Sequence, residues 1–367
     1  MRSVVKKVVG WTLFAVCFLG TIEIACRIEQ WFLYDAPIFG LYTYDTALFT
    51  TDEYGITGKA NGVYEKWRLN SLGFRGPEIR REKDPQQLRI VCVGASETFG
   101  LYESSEQEWP RQLEALLEIG GIDAEVVNAA IAGMSLSQRT THLQKRLLPL
   151  HPDIVVMMLE YGSYAGMTED KLKVRQGKLT GLPNRRDIVV GLKTLRIVGR
   201  FKDVFLPRLP DPLQRGFEQL ERGAKLRMQE KAFGAKFRSV THISPFEVEL
   251  FKHDLSELSR ISSGAGIRLV LLSPAMWFTE RNLSMTYLSW PYLDESWWRE
   301  AQSVLPATIR EFSKEHNLSY VDLSEMVRGH ESEWMMDMLH FNNNGAKKVA
   351  ERIVEQLMKE NRTIVRN

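Results

Sequence analysis

The chain has 367 residues, enough for one sizeable domain with appendages. Its composition is ordinary for a globular protein, and a formal charge of +2 implies no nucleic-acid partner. Three cysteines, Cys17, Cys26 and Cys92, make no disulfide framework.

The N-terminus reads M-R-S-V-V-K-K, followed by a mostly apolar run from Val8 to Cys26, about the length of a bilayer-spanning helix. Arg2, Lys6 and Lys7 precede the run, so the N-terminus is expected in the cytoplasm and the rest in the periplasm or outside the cell. Glu23 is the discordant residue. It sits near the far end, where it can snorkel or pair with Arg27 four residues on. No small-x-small cleavage site follows, and Glu23 spoils the lipobox in E-I-A-C. An uncleaved single-pass anchor over residues 1–27 is expected.

Residues 28–85 form an aromatic and polar lead-in. Within it N-S-L-G-F-R-G, Asn70 to Gly76, implies tight turns at Gly73 and Gly76, with Phe74 docked on the domain. Arg75 either holds an anionic group near the site or, the commoner use, closes a salt bridge in a structural turn.

A domain over 86–367 follows. In R-I-V-C-V-G-A-S-E-T-F-G, Ile90 to Val93 reads as a buried strand, Gly94 breaks it, and Ser96 stands just past its end. The carboxyl end of a parallel strand is where an α/β sheet presents ligands and nucleophiles. The segment is not a G-x-S-x-G elbow, because Thr98 holds the second glycine position. Taken alone, a serine in an ordinary βα loop is the commoner case. Strands are expected near 88–94, 124–129, 153–159, 267–273 and 319–323, and helices near 105–119, 136–148, 245–262, 297–315 and 343–359. The alternation predicts a three-layer α/β/α sandwich on a mainly parallel, five-stranded, flavodoxin-like sheet, plus one N-terminal transmembrane helix. Ser244, Pro245 and Glu247 mark one helix start.

Between 167 and 241 the rhythm is lost, and Lys and Arg outnumber Asp and Glu by more than two to one. This insertion reads as a lid, a contact for anionic glycan, a membrane-docking surface, or a solvated excursion. Gln214 to Phe237 has the pattern of a basic amphipathic helix, with Phe217, Leu220 and Leu226 on one side. Trp290, Trp297 and Trp298 either stack on sugar or, more commonly, fill a core. His142, His151, His242, His253, His316 and His330 lack metal-ligand spacing, so no metal and no cofactor are expected. Near the end, D-M-L-H-F-N-N-N-G precedes a helix with Val349, Ile353 and Leu357 in a stripe. Asp337 and His340 stand three apart, as a carboxylate that orients an imidazole must be near it.

Three blocks together resemble the SGNH, or GDSL-like, serine hydrolases of the membrane-anchored type. They are V-G-A-S-E-T-F-G with Ser96, V-V-N-A-A-I-A-G-M-S-L-S-Q with Gly133, and D-M-L-H with Asp337 and His340. The resemblance implies Ser96 as nucleophile, His340 as general base and Asp337 as its orienter, with the N–H groups of Ser96 and Gly133 in the oxyanion hole. Two positions depart from the pattern. Ala95 replaces the Asp of G-D-S, which is not a triad member. The third strand runs into E-Y-G-S-Y-A where the family has G-x-N-D, so Tyr164 stands where its oxyanion Asn falls. Tyr164, Tyr161 or Ser163 replaces that donor, or the site is weak; one lost donor costs about 10²–10³ in turnover.

The expected function is a membrane-anchored serine esterase for O-acyl, first of all O-acetyl, esters of cell-envelope carbohydrate. The alternatives are an O-acyltransferase acting on an extracellular glycan and a non-catalytic glycan-binding accessory protein. Expected partners are the ester substrate, the membrane through the N-terminal helix, and a membrane protein beside it.

Overall fold

The computed structural model describes residues 2–161, 195–201, 206–210, 240–279 and 293–364, with isolated positions between 212 and 227 and at 282. The first helix, Arg2–Tyr34, outruns the apolar run that predicts it. At 1.5 Å per residue it is about 50 Å long, against about 30 Å for a bilayer core. Among the described residues it is the one helix long and apolar enough to cross a membrane, with a mean hydropathy of 1.9 and none of its apolar window buried. Glu23 does pair with Arg27, at 2.7 Å. Its other oxygen accepts the Ile197 N–H at 2.9 Å, from a short helix, Arg196–Arg200, in the basic insertion. Arg200 pairs with Glu29, and the buried Arg196 donates to the carbonyl of Pro37. This piece of the insertion is therefore docked on the end of the apolar helix. Most of the expected helix from 214 to 237 lies outside the described residues.

The lead-in contains more regular structure than its polarity suggests. Two short antiparallel hairpins, β1 (Phe49–Asp52) with β2 (Gly55–Gly58) and β3 (Val63–Tyr64) with β4 (Trp67–Arg68), follow a helical turn at Tyr44–Leu48. Leu48, Phe49 and Leu69 are buried against Phe99, Ala130, Ile131 and Met134 of the domain. Asn70 closes the next turn: its Oδ1 accepts the N–H groups of Leu72 and Phe74 at 3.0 Å. Gly73 sits at φ +81 and Gly76 at φ +114, as the turns require. Phe74 is buried in the main core, as expected. Arg75 takes the structural role. It pairs with buried Glu108 at 3.0 Å, donates to the carbonyls of Phe99 and Gly100, and bonds through its N–H to Asn128 at the sheet edge at 3.1 Å.

The sheet is built from β5 (Leu88–Val93), β6 (Ala124–Asn128), β7 (Ile154–Met158), β8 (Arg268–Leu272) and β9 (Ser319–Val321), all parallel, in the order β6-β5-β7-β8-β9. Alternate residues serve opposite layers. Val91, Val93, Val155, Met157, Leu269 and Leu271 share a core with Leu136, Phe251, Leu255, Trp297, Trp298 and Leu305, from helices Leu136–His142, Pro245–Gly264 and Glu295–Glu315. Ile90, Cys92, Val156, Met158, Val270 and Leu272 share the other with Trp109, Leu113 and Leu117 of helix Trp109–Ile119 and Val349, Ile353 and Leu357 of helix Asn343–Ile364. Burial on both faces is why the strands read as unbroken apolar runs. The expected three-layer α/β/α architecture is present, and Trp297 and Trp298 are core residues. Ser244 caps its helix as expected, with reciprocal bonds to Glu247 at 3.2 and 3.0 Å. Two helices are shorter than expected. One starts at Trp109, with Pro110 in its first turn. The other ends at His142 and loosens through Leu143–Leu150, where Pro149 breaks it.

Candidate active site

Strand β5 lies between β6 and β7, so chain direction across the sheet reverses there, opening a crevice beyond its carboxyl end. The nucleophile turn fills that crevice. A Cβ on Gly94 would meet Thr98 Oγ1 at 2.0 Å and Glu160 Oε1 at 2.7 Å, so only glycine fits. Ser96 begins a single helical turn, Ser96–Phe99. The turn is tied down from outside. Glu160, just past β7, accepts the Ala95 N–H at 2.5 Å. Glu160 also pairs with Arg139, which is fully buried and donates to the carbonyls of Met158 at 2.7 Å and Met134 at 2.9 Å. The Ile131 N–H bonds to the Gly94 carbonyl at 3.2 Å, which brings the segment after β6 to the same place.

The base loop holds itself. Met335 and Phe341 form an antiparallel bridge, and the Met336 N–H donates to the His340 carbonyl at 2.8 Å. Asp337 Oδ1 accepts the N–H groups of Leu339 and His340 at 2.8 and 2.9 Å, and both carboxylate oxygens lie 2.9 Å from His340 Nδ1. His340 Nε2 is 2.9 Å from Ser96 Oγ. The three residues picked from sequence are thus in one hydrogen-bonded chain, although Ser96 and His340 are 244 residues apart. Burial works against a charged His340. The charge and hydrogen bond of Asp337 outweigh it, Glu97 and Glu103 add to them, and its pKa stands at about 9. Burial pushes Asp337 up, but His340 and the two amides hold it below the usual carboxylate range. A carboxylate, an imidazole and a hydroxyl so linked can shuttle one proton to and from the serine oxygen.

The remaining candidates divide. Gly133, at φ +79, lies between β6 and helix Leu136–His142, two residues beyond Ile131. Neither its N–H nor that of Ser96 has an acceptor among the described residues. Tyr161 is fully buried in the core with its ring against Trp298, and its hydroxyl has no hydrogen-bond partner among the described residues. Tyr164 and Ser163 lie outside the described residues. Among the described residues no group of three or more His, Cys, Asp or Glu could hold a metal ion.

Sequence reasoning missed four side chains at this site. Ser96 Oγ donates to Glu97 Oε2 at 2.9 Å, and Glu97 is buried. Glu103 is also buried, which pushes its carboxyl up to about 7. The Tyr102 ring stands edge-on to His340 with centroids 5.3 Å apart. Glu160 holds the nucleophile turn. Two signals were available: a carboxylate flanking the candidate nucleophile, and an acid closing the apolar run I-V-V-M-M-L-E. The loop after Tyr102 is stitched to the base region, since Asn343 accepts the Ser104 N–H at 2.9 Å and donates to its hydroxyl at 3.1 Å.

No family model and no curated protein matches the chain. Solved structures similar to it include a lipase/acylhydrolase from Enterococcus faecalis, at 16% identity and a TM-score of 0.43, over 74% of this chain and 96% of that one. A GDSL-like lipase from Bacteroides thetaiotaomicron gives 14% and 0.39, over 74% and 88%. A catalytic mutant of an acetylxylan esterase from Geobacillus stearothermophilus gives 11% and 0.40, over 73% and 93%. Likenesses this distant assign no chemistry, which has to come from the side chains.

Proposed function

We propose that the chain is a membrane-anchored serine esterase that cleaves O-acyl esters, O-acetyl first, of cell-envelope carbohydrate. The observation that carries the reaction class is the chain Asp337–His340–Ser96, with 2.9 Å at each link. Ser96 attacks the ester carbonyl as His340 takes its proton. The N–H groups of Ser96 and Gly133 stabilise the oxyanion, and His340 hands the proton to the departing alcohol. Water then releases the acyl group by the same route in reverse. Asp337 keeps Nδ1 protonated and directs Nε2 at the serine. The choice of an envelope carbohydrate follows the motif resemblance and the apolar N-terminal helix, with Arg2, Lys6 and Lys7 on its cytoplasmic side.

The test is covalent. A fluorophosphonate probe added to the full chain in detergent should label Ser96, located by peptide mass, and should leave Ser96→Ala unlabelled. Equal labelling of both proteins removes Ser96 as the nucleophile. For the orientation, a reporter active only outside the cytoplasm and fused after Asn367 should be active; silence from a well-expressed fusion reverses it.

A further inference from the structure

Ser96 has one hydroxyl proton and two neighbours competing for it. Its Oγ lies 2.9 Å from His340 Nε2 and donates across 2.9 Å to Glu97 Oε2. Nδ1 of His340 is committed to Asp337. When Ser96 directs its O–H at Glu97, the contact with Nε2 is a hydrogen bond only if Nε2 carries a proton too. The ring is then an imidazolium and cannot act as a base.

The surroundings favour that state. Glu97 is 6% exposed, with Arg139 and Glu160 behind it. From the loop after the nucleophile turn, Glu103 also faces His340, with Arg75 and its partner Glu108 behind. Asp337 faces the ring from its own loop. Three carboxylates favour a proton on the imidazole, Asp337 most and then Glu97 and Glu103, against the cost of burying the charged ring.

We propose that Glu97 is a catalytic residue that holds the Ser96 proton in the resting site and thereby sets the pH at which the nucleophile is armed; this rests on the esterase reading above. Arming releases the Nε2 proton of His340 to solvent, and the Ser96 O–H turns from Glu97 Oε2 to the freed lone pair. Attack forms the Oγ–carbon bond, moves the carbonyl π pair onto oxygen and passes the seryl proton to Nε2. Collapse breaks the bond to the alcohol oxygen, which leaves with that proton. Glu97 remains a carboxylate throughout, and its charge steadies the imidazolium formed at attack.

Two measurements on the full chain in detergent test this. The first is the pH profile of kcat/KM for a small acetyl ester. Wild type should gain activity as pH rises through about 9, the value of His340. In Glu97→Gln the limb should move about one pH unit lower. That makes the neutral fraction at pH 7 about tenfold larger. An unmoved limb, or a rate lowered equally at every pH, overturns the proposal. The second needs no turnover. With ¹⁵N-labelled histidine, the His340 signal, identified by its loss in His340→Gln, should show both ring nitrogens protonated at pH 7 in wild type. A neutral ring at pH 7 overturns the proposal. Absence of ester cleavage at every pH would count against the esterase reading instead, and spectra of Glu97→Gln beside wild type would still decide the role of Glu97: the ring should lose its second proton about one pH unit lower in the variant, and an unmoved titration overturns the proposal.

Discussion

The nucleophile turn and the base loop meet at the 2.9 Å contact of Ser96 with His340, but they are built on opposite plans. The base loop is closed by its own residues: Asp337 caps two amides within three positions of itself and grips the ring of the residue three positions on. The nucleophile turn is closed by strangers. Glu160 reaches it from 65 positions away, and Arg139 braces Glu160 from a different element. The carboxylates differ in the same way. Asp337 is fed by amides and kept ionised, whereas Glu97 and Glu160 are buried and pushed up, Glu160 to about 7. A self-contained loop positions its side chain wherever it is docked. A turn held from outside positions its serine only while a buried charge pair survives.

The largest effects should come from cutting the shared contact. His340→Ala should lower ester turnover by about 10⁴-fold or more, with the Ser96→Ala, His340→Ala double variant hardly worse, because the two act as one unit. Asp337→Ala should keep about 10–100-fold more activity than either. Additive losses in single-turnover kinetics would contradict the shared mechanism.

The next effect separates the two plans. Arg139→Met leaves Glu160 buried and unpaired and should cost about 3–5 kcal/mol in denaturant unfolding. The double variant Arg139→Met, Glu160→Leu should recover much of that stability. It should not recover turnover, because the Ala95 N–H has lost its acceptor. Recovery of both would make the pair a matter of folding alone.

Tyr164→Phe addresses the oxyanion side. If its hydroxyl is the third donor, kcat should fall about 10²-fold with KM little changed. A silent substitution leaves the two backbone amides as the whole of the hole.

The smallest effect is on the seam. Asn343→Ala removes two exposed hydrogen bonds to Ser104 and should cost about 0.5–1.5 kcal/mol. It should lower the melting temperature by a few degrees and leave the acidic limb of the pH profile in place. A shifted limb would mean that the loop carrying Glu103 moves when the seam is cut.

What could be read in the sequence follows the same division. The five strands, buried on both faces, announced themselves as apolar runs, and the Ser244–Pro245–Glu247 start was local enough to read directly. Asp337 and His340 were legible because their geometry is a property of four consecutive residues. Ser96 was legible only with them, since a serine after a strand is common. Arg139, Glu160 and Glu97 were not legible as a site, because their partners come from separate βα units and only the fold brings them together. The odd residue after β7 in the sequence is Tyr164, which lies outside the described residues, whereas the nearer Glu160, which accepts the Ala95 N–H, looks ordinary at the end of an apolar run. The lead-in hairpins were hidden for another reason: strands of two to four residues are too short to show a period.

The central claim is that Ser96 attacks an ester carbonyl. The direct measurement is turnover of a small acetyl ester by wild type and Ser96→Ala, purified side by side as full chains, at a pH above the His340 value of about 9 and again at pH 7. The wild type should be active, more so at the higher pH, and Ser96→Ala should fall to the buffer rate at both. Equal rates in the two proteins would contradict the assignment of Ser96 as nucleophile.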